Sequence, residues 1–141
     1  MTITKKLLYI VFFAFIVNLA WEVPHSLLYK TTTEMSVSEY VPRILQASAG
    51  DIVMILIIFA IISLYNNSVK WSILQKKNII LSILLGIIVS VTFEIYALNT
   101  NKFAYLPSMP LIPLLNVGIT PVLQMIVAPL IVFFLAEKIS L

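Results

Sequence analysis

The chain has 141 residues, of which 61% are hydrophobic and 11% charged. A soluble domain needs about a quarter of its residues charged to cover its surface, so lipid must solvate most of this chain. The net charge of +3 is spread among the ends of the apolar runs, which makes it a topology signal and excludes a nucleic-acid partner. The absence of cysteine excludes disulfides, thiolate catalysis and Cys-ligated metals.

At roughly 20 apolar residues per span, this length holds four membrane helices with short connections and no separate soluble domain. The expected architecture is all-α: a single membrane domain over 1–141, built as a four-helix transmembrane bundle. Lys5-Lys6 followed by an apolar run has the outline of a signal peptide. The run is long for that role, and Trp21-Glu22-Val23-Pro24-His25 follows it in place of a small-residue cleavage site. It therefore reads as a retained first span near residues 6–24, ended by Pro24. Residues 25–43 are polar and read as a loop with a short surface helix. The second span covers about 44–66, with Asp51 two turns from its start. A basic turn leads through Lys70, Lys76 and Lys77 to a third span at about 78–98. A proline-punctuated hairpin then leads to a fourth at about 114–136. Asn66-Asn67-Ser68 matches a glycosylation sequon, which is discounted on the side it occupies.

Basic residues set the orientation. Lys5, Lys6, Lys70, Lys76, Lys77 and Lys138 fall on one side, Lys30, Arg43 and Lys102 on the other. The positive-inside rule places both termini and the 66–77 turn in the cytoplasm. Aromatic residues mark both boundaries, Tyr29, Tyr40, Phe103 and Tyr105 outside and Tyr9, Tyr65 and Trp71 inside.

With that orientation the polar groups within the spans gather at one end. Glu22 and His25 finish the first helix, Asp51 opens the second, and Glu94 nears the end of the third. Asn116, Thr120 and Gln124 open the fourth. All lie in the outer half, and the inner half carries essentially Leu, Ile, Val and Phe. Residues four apart share a helix face, which gives the stripes Ala14-Asn18-Glu22, Ser82-Gly86-Ser90-Glu94 and Asn116-Thr120-Gln124-Ala128. Small residues at this spacing let helices approach closely in lipid, so Ala14, Ser82 and Gly86 read as packing seams. A carboxylate is different, since it costs about 2.5–3.5 kcal/mol at mid-bilayer and usually marks function. Structural use, as a hydrogen-bond partner between helices or as a cap, remains the alternative. Glu94, Asp51 and Glu22 are the candidate catalytic residues. Asn18, Trp21, His25, Tyr105, Asn116 and Gln124 are the candidate ligand-binding residues.

No lysine or arginine lies in the interior of a span, so these acids lack a cationic partner at depth; Arg43 and Lys102 approach only from the outer boundary. Such carboxyls either retain a proton or bind a cation. The missing lysine excludes a retinal Schiff base. Glu22-x-x-His25 has the spacing found in di-iron helical bundles, but the chain has one histidine and Pro24 interrupts the pair. No metal or other cofactor is assigned. Phosphate loops, Ser/His/Asp sets and zinc motifs are missing from the sequence. Pro121 and Pro129 are read inside the fourth helix, setting its shape.

Asn18-Leu19-Ala20-Trp21-Glu22, Gly50-Asp51, Glu94, Tyr105 with Met109-Pro110, and Gly118…Pro121…Gln124 together resemble the pattern of an uncharacterised family of small bacterial four-helix integral membrane proteins. That pattern runs N-L-x-W-E, G-D, an acid followed by W-x-Y-x-x-x-M-P, then G-x-x-P-x-x-Q, and Phe103 stands here where it has Trp. The resemblance spans nearly the whole chain and implies the topology and the site residues, but no reaction. A fainter likeness, by analogy alone, is to the small membrane-embedded lycopene cyclases, whose paired-glutamate motif is missing.

Three functions follow as expectations. The first is an outer-leaflet site that binds or acts on a small hydrophobic, isoprenoid-like or lipid molecule by acid catalysis. In it Glu94 or Asp51 donates the proton, Asn18 and Gln124 orient the ligand, and Trp21 and Tyr105 line the entrance. The second is an accessory subunit of a membrane complex, and the third a proton- or ion-coupled carrier. The expected partners are the lipid bilayer, a hydrophobic small molecule, and a second copy or a partner membrane protein.

Overall fold

The computed structural model describes residues 3–140. Its long elements are α1 (Ile3–His25), α3 (Val37–Tyr65), α4 (Lys76–Asn99) and α5 (Ile119–Ser140), with a single-turn helix α2 (Lys30–Thr33) after α1. All four long helices have the length and apolarity to cross a membrane, so the fold is an all-α four-helix bundle that fits a membrane protein. Runs of Ile and Val disfavour helix in water. In lipid the helix wins because it satisfies every backbone N–H and C=O internally.

The helix ends differ from the sequence expectations in three places. Pro24 does not end α1: a proline's fixed φ is itself helical, and the helix continues to His25 before tightening into a 3-10 turn at Ser26–Leu28. The second span begins at Val37, seven residues before the apolar run. Ser36 caps it in a capping-box arrangement, its N–H and Oγ donating to Glu39 Oε2 at 3.0 and 2.7 Å. The polar first two turns had read as loop. The fourth helix starts at Ile119, because Leu111–Ile112 and Val117–Gly118 pair as a two-stranded antiparallel hairpin, β1 and β2. Pro121 therefore stands in the first turn, where no intrahelical N–H is needed, and only Pro129 lies within the helix.

The stripes read from the sequence are the buried faces of α1 and α4. On α1 these are Ile10, Ala14, Asn18, Glu22 and His25, and on α4 they are Asn78, Ser82, Gly86, Ser90, Glu94 and Ala97. A Cβ on Gly86 would overlap the Met125 carbonyl oxygen and lie 2.8 Å from its carbon. This glycine is what lets α4 rest on the backbone of α5. Helix α5 packs against both α1 and α4, and α1 against α3, whereas α3 and α4 meet over less of their length. Beneath the polar end, Ile55, Ile58, Ile62, Met125 and Val132 form an apolar core.

That half is not wholly apolar, contrary to expectation. At the end holding the termini, the 66–75 turn folds back over the helices, and its backbone needs partners. Lys6 Nζ donates to the carbonyls of Val69 (2.9 Å) and Trp71 (3.2 Å) and lies 4.9 Å from the Trp71 ring. Glu137 Oε2 accepts from Ile73 N–H at 2.9 Å, and Asn78 joins Asn66 Nδ2 (2.8 Å) to the Ser72 carbonyl (2.8 Å).

Candidate functional site

Three helices send a carboxyl toward one cavity of about 480 Å³ at the end opposite the termini: Glu22 from α1, Asp51 from α3 and Glu94 from α4. Helix α5 supplies the group that joins two of them. Gln124 is only 2% exposed, and its Nε2 lies 3.0 Å from Asn18 Oδ1, 3.1 Å from Glu22 Oε1 and 2.8 Å from Asp51 Oδ2. An amide nitrogen carries two hydrogens, and here three acceptors surround it. One of the three therefore shares a hydrogen with a neighbour or takes a proton of its own. Asn18, fully buried, donates its own Nδ2 to the Ala14 carbonyl at 2.8 Å. It sits behind Gln124 and fixes that side chain instead of facing the cavity.

Glu94 belongs to a second cluster on the same cavity. The Tyr105 hydroxyl donates to Glu94 Oε2 and accepts the Gly118 N–H at 3.0 Å. The segment that brings Tyr105 there pairs with the chain leaving α1: Lys30 N–H donates to the Ala104 carbonyl and Leu106 N–H to the Leu28 carbonyl, both at 2.9 Å. This pairing sets Tyr29 against Tyr105, with rings 5.5 Å apart, and Phe103 5.0 Å from Tyr29. The three rings cover the site end. Burial, and then the charges of Glu94 and its neighbours, raise the Tyr29 phenol far above its ordinary value. Burial, and then the hydrogen bond to Glu94, do the same for Tyr105. Both phenols therefore remain hydrogen-bond donors through the physiological range.

His25 lies between the clusters. Its Nε2 is 2.9 Å from Thr120 Oγ1 and 3.4 Å from the Tyr29 hydroxyl, and its Nδ1 is 3.5 Å from Glu22 Oε1. Nδ1 is buried and has no hydrogen-bond partner. Pro24 does not separate Glu22 from His25 as expected; the unbroken turn keeps them one above the other. Among the described residues, no group of three or more His, Asp or Glu side chains is arranged to hold a metal ion.

Four candidates do not line the cavity: Asn18 and Tyr105 stand behind it, bonded to Gln124 and Glu94, and Trp21 and Asn116 lie away from it. Trp21 is half-buried in a separate shallow groove with Val17, Ala20 and Pro24, because it is one residue, about 100° of helix, from Glu22. Asn116 is exposed at the hairpin turn with φ of 53°, a left-handed conformation that asparagine tolerates well. It is not on a helix and so leaves the Thr120-Gln124-Ala128 stripe. The sequence reading missed Tyr29, placed only in the aromatic belt although it stands four residues from His25. It also missed Gly50 and Phe93, which flank the cavity. At the mouth stand Arg43, which donates to Gln46 Oε1 at 3.3 Å, and Lys102, whose ammonium lies 4.7 Å from the Tyr96 ring.

Together these groups can accept hydrogen bonds from a bound molecule at several carboxyl oxygens, and a carboxyl that carries a proton can pass it on. Comparison with family models, with curated proteins and with solved structures finds no match to this chain, and the site is read from its own geometry.

Proposed function

We propose that the chain is a multi-pass protein of the bacterial inner membrane, with both termini in the cytoplasm, whose outer-leaflet cavity takes up a small membrane-resident hydrophobic molecule by its polar end and acts on it by acid catalysis. The observation that carries this reading is the convergence of Glu22, Asp51 and Glu94 from three helices on one cavity, beside a shared amide. A carboxyl proton passes to one carbon of a double bond of the ligand, leaving a carbocation on the other. Return of a proton from the neighbouring carbon to the carboxylate balances the step as an isomerisation. Gln124 and Tyr105 hold the carboxyls in place, and His25 connects Glu22 to the phenol of Tyr29. Groups held this way fit proton transfer because it requires donor and acceptor within hydrogen-bond reach.

Beneath the site Ile55, Ile58, Ile62 and Val132 form an apolar layer, against which α4 sets only the small hydroxyls of Ser82 and Ser90 above Asn78, and so sparse a polar lining disfavours a carrier. The test is lipid extraction and mass spectrometry of the protein purified from membranes, for the wild type and for Glu94→Gln, Asp51→Asn and Glu22→Gln. A specific lipid or isoprenoid that accompanies the wild type and is lost or chemically unchanged in the variants supports the reading. Variants that insert and fold but lose a protein partner, with lipid content unchanged, would replace it with the accessory-subunit reading.

A further inference from the structure

The chain has three glycines, and two lie within transmembrane helices in opposite circumstances. Gly86 is pressed onto the α5 backbone. At Gly50, on α3, an added Cβ would meet nothing within 4 Å. A glycine inside a helix is less favourable than alanine, and at Gly50 no close packing explains it. What Gly50 does border is the cavity, together with Ala47, Asp51 and Met54 of α3 and Ser90 and Phe93 of α4. Gly50 is exposed and Phe93 is 39% exposed, so both face the outside as well as the cavity. The remaining sides are closed by α1 and α5, which pack closely on each other, while α3 and α4 meet over less of their length than α1 does with α3 or α4 with α5. The side open to lipid is the gap between α3 and α4.

The floor reached through that gap is rich in acceptors. It presents carboxyl oxygens of Glu22, Asp51 and Glu94, with the buried Nδ1 of His25 3.5 Å from Glu22 Oε1. The donors beside them are committed: Gln124 Nε2 is shared among three oxygens, and the Tyr105 hydroxyl is given to Glu94. The cations, Arg43 and Lys102, stand at the mouth, where Arg43 donates to Gln46 and Lys102 lies over Tyr96. A head that donates a hydrogen bond matches this site better than an anionic one.

From these observations we infer that the α3–α4 gap is a lateral portal with Gly50 as its sill, and that it admits a long-chain alcohol, hydroxyl inward to the carboxyls and apolar chain between Met54 and Phe93. This rests on the reading above that the cavity takes a membrane-resident amphiphile. The experiment uses the full chain in lipid nanodiscs and three photoreactive diazirine probes: an isoprenoid alcohol, its methyl ether and its phosphate monoester. Cross-linking to cavity residues is quantified by mass spectrometry. The alcohol should label the wild type well above the other two. Gly50→Phe, which fills the portal, should lower labelling about tenfold with unchanged helix content, and Gly50→Ala should leave it intact. Ala47→Phe, on the same face, provides a second block should Gly50→Phe fold poorly. If both blocked variants label like wild type while Asp51→Asn does not, the portal is wrong and the site stands. Equal labelling by the ether, or stronger labelling by the phosphate, overturns the alcohol head. Labelling that is unaffected by Asp51→Asn and Glu22→Gln alike overturns the site reading itself.

Discussion

Changing Gly86 and Gly50 each to alanine adds the same methyl group, and the structure demands opposite signs. At Gly86 the new Cβ would overlap the Met125 carbonyl oxygen and stand 2.8 Å from its carbon. The obstacle is backbone, which cannot rotate aside, so α4 and α5 must separate along the Ser82–Ser90 seam. Overpacking of this kind costs about 1–3 kcal/mol, while alanine's better helix propensity returns at most about 1 kcal/mol. The net expectation is a loss of about 1–2 kcal/mol. At Gly50 the Cβ meets open space, so only the propensity gain of about 0.5–1 kcal/mol remains. Reversible unfolding in bicelles, followed by helical circular dichroism or by steric trapping, measures both. Gly86→Ala as stable as the wild type would mean the α4–α5 contact is not as close as described. Gly50→Ala less stable than wild type would mean something covers that face, and the portal argument would lose its footing.

Gln124→Leu leaves three buried acceptors without their shared donor. Hydrogen bonds between membrane helices contribute about 0.6 kcal/mol on average, but stranded buried acceptors cost about 1–3 kcal/mol. A loss near the upper range, about 1–3 kcal/mol in the same unfolding assay, is expected, and an unchanged midpoint would show that the amide does not tie the helices. For Tyr29 and Tyr105 the sign runs toward alkaline instability. Their folded-state values lie above the unfolded ones, so stability is fully kept below the ordinary phenol value near 10 and falls as pH rises past it. Tyr105→Phe should remove one late phase of the phenolate absorbance titration and lessen the alkaline loss of stability; an unchanged titration would refute the burial of that phenol beside Glu94. Ser36→Ala removes the start signal of α3 and should cost about 1 kcal/mol, with amide exchange quickened over residues 37–43 only.

How much could be read without coordinates varied with the range of the interaction. The buried faces of α1 and α4 were legible because a stripe at intervals of four is a local property of one helix, and Ala14-Asn18-Glu22 and Ser82-Gly86-Ser90-Glu94 proved to be those faces. The first turns of α3 were hidden, because helix there comes from the Ser36–Glu39 cap and not from apolar periodicity. The hairpin misled for a similar reason: Asn116 shares a spacing with Thr120 and Gln124, but Leu111 and Ile112 find strand partners before the helix can begin.

Composition alone decided the solvent, the number of long helices and their lipid-exposed character, since so few charges cannot cover a soluble surface. Helical periodicity decided which side of α1 and of α4 turns inward. Only the tertiary structure decided that Gln124 of α5 stands among Asn18, Glu22 and Asp51, that Tyr105 reaches Glu94 while Trp21 does not join them, and that Gly50 borders the cavity with open space beside its Cα. Those outcomes depend on how the helices are rotated and spaced against one another. That is set by backbone contacts such as Gly86 on Met125 and by the pairing of two loops distant in the chain, neither of which has a signature within a single helix.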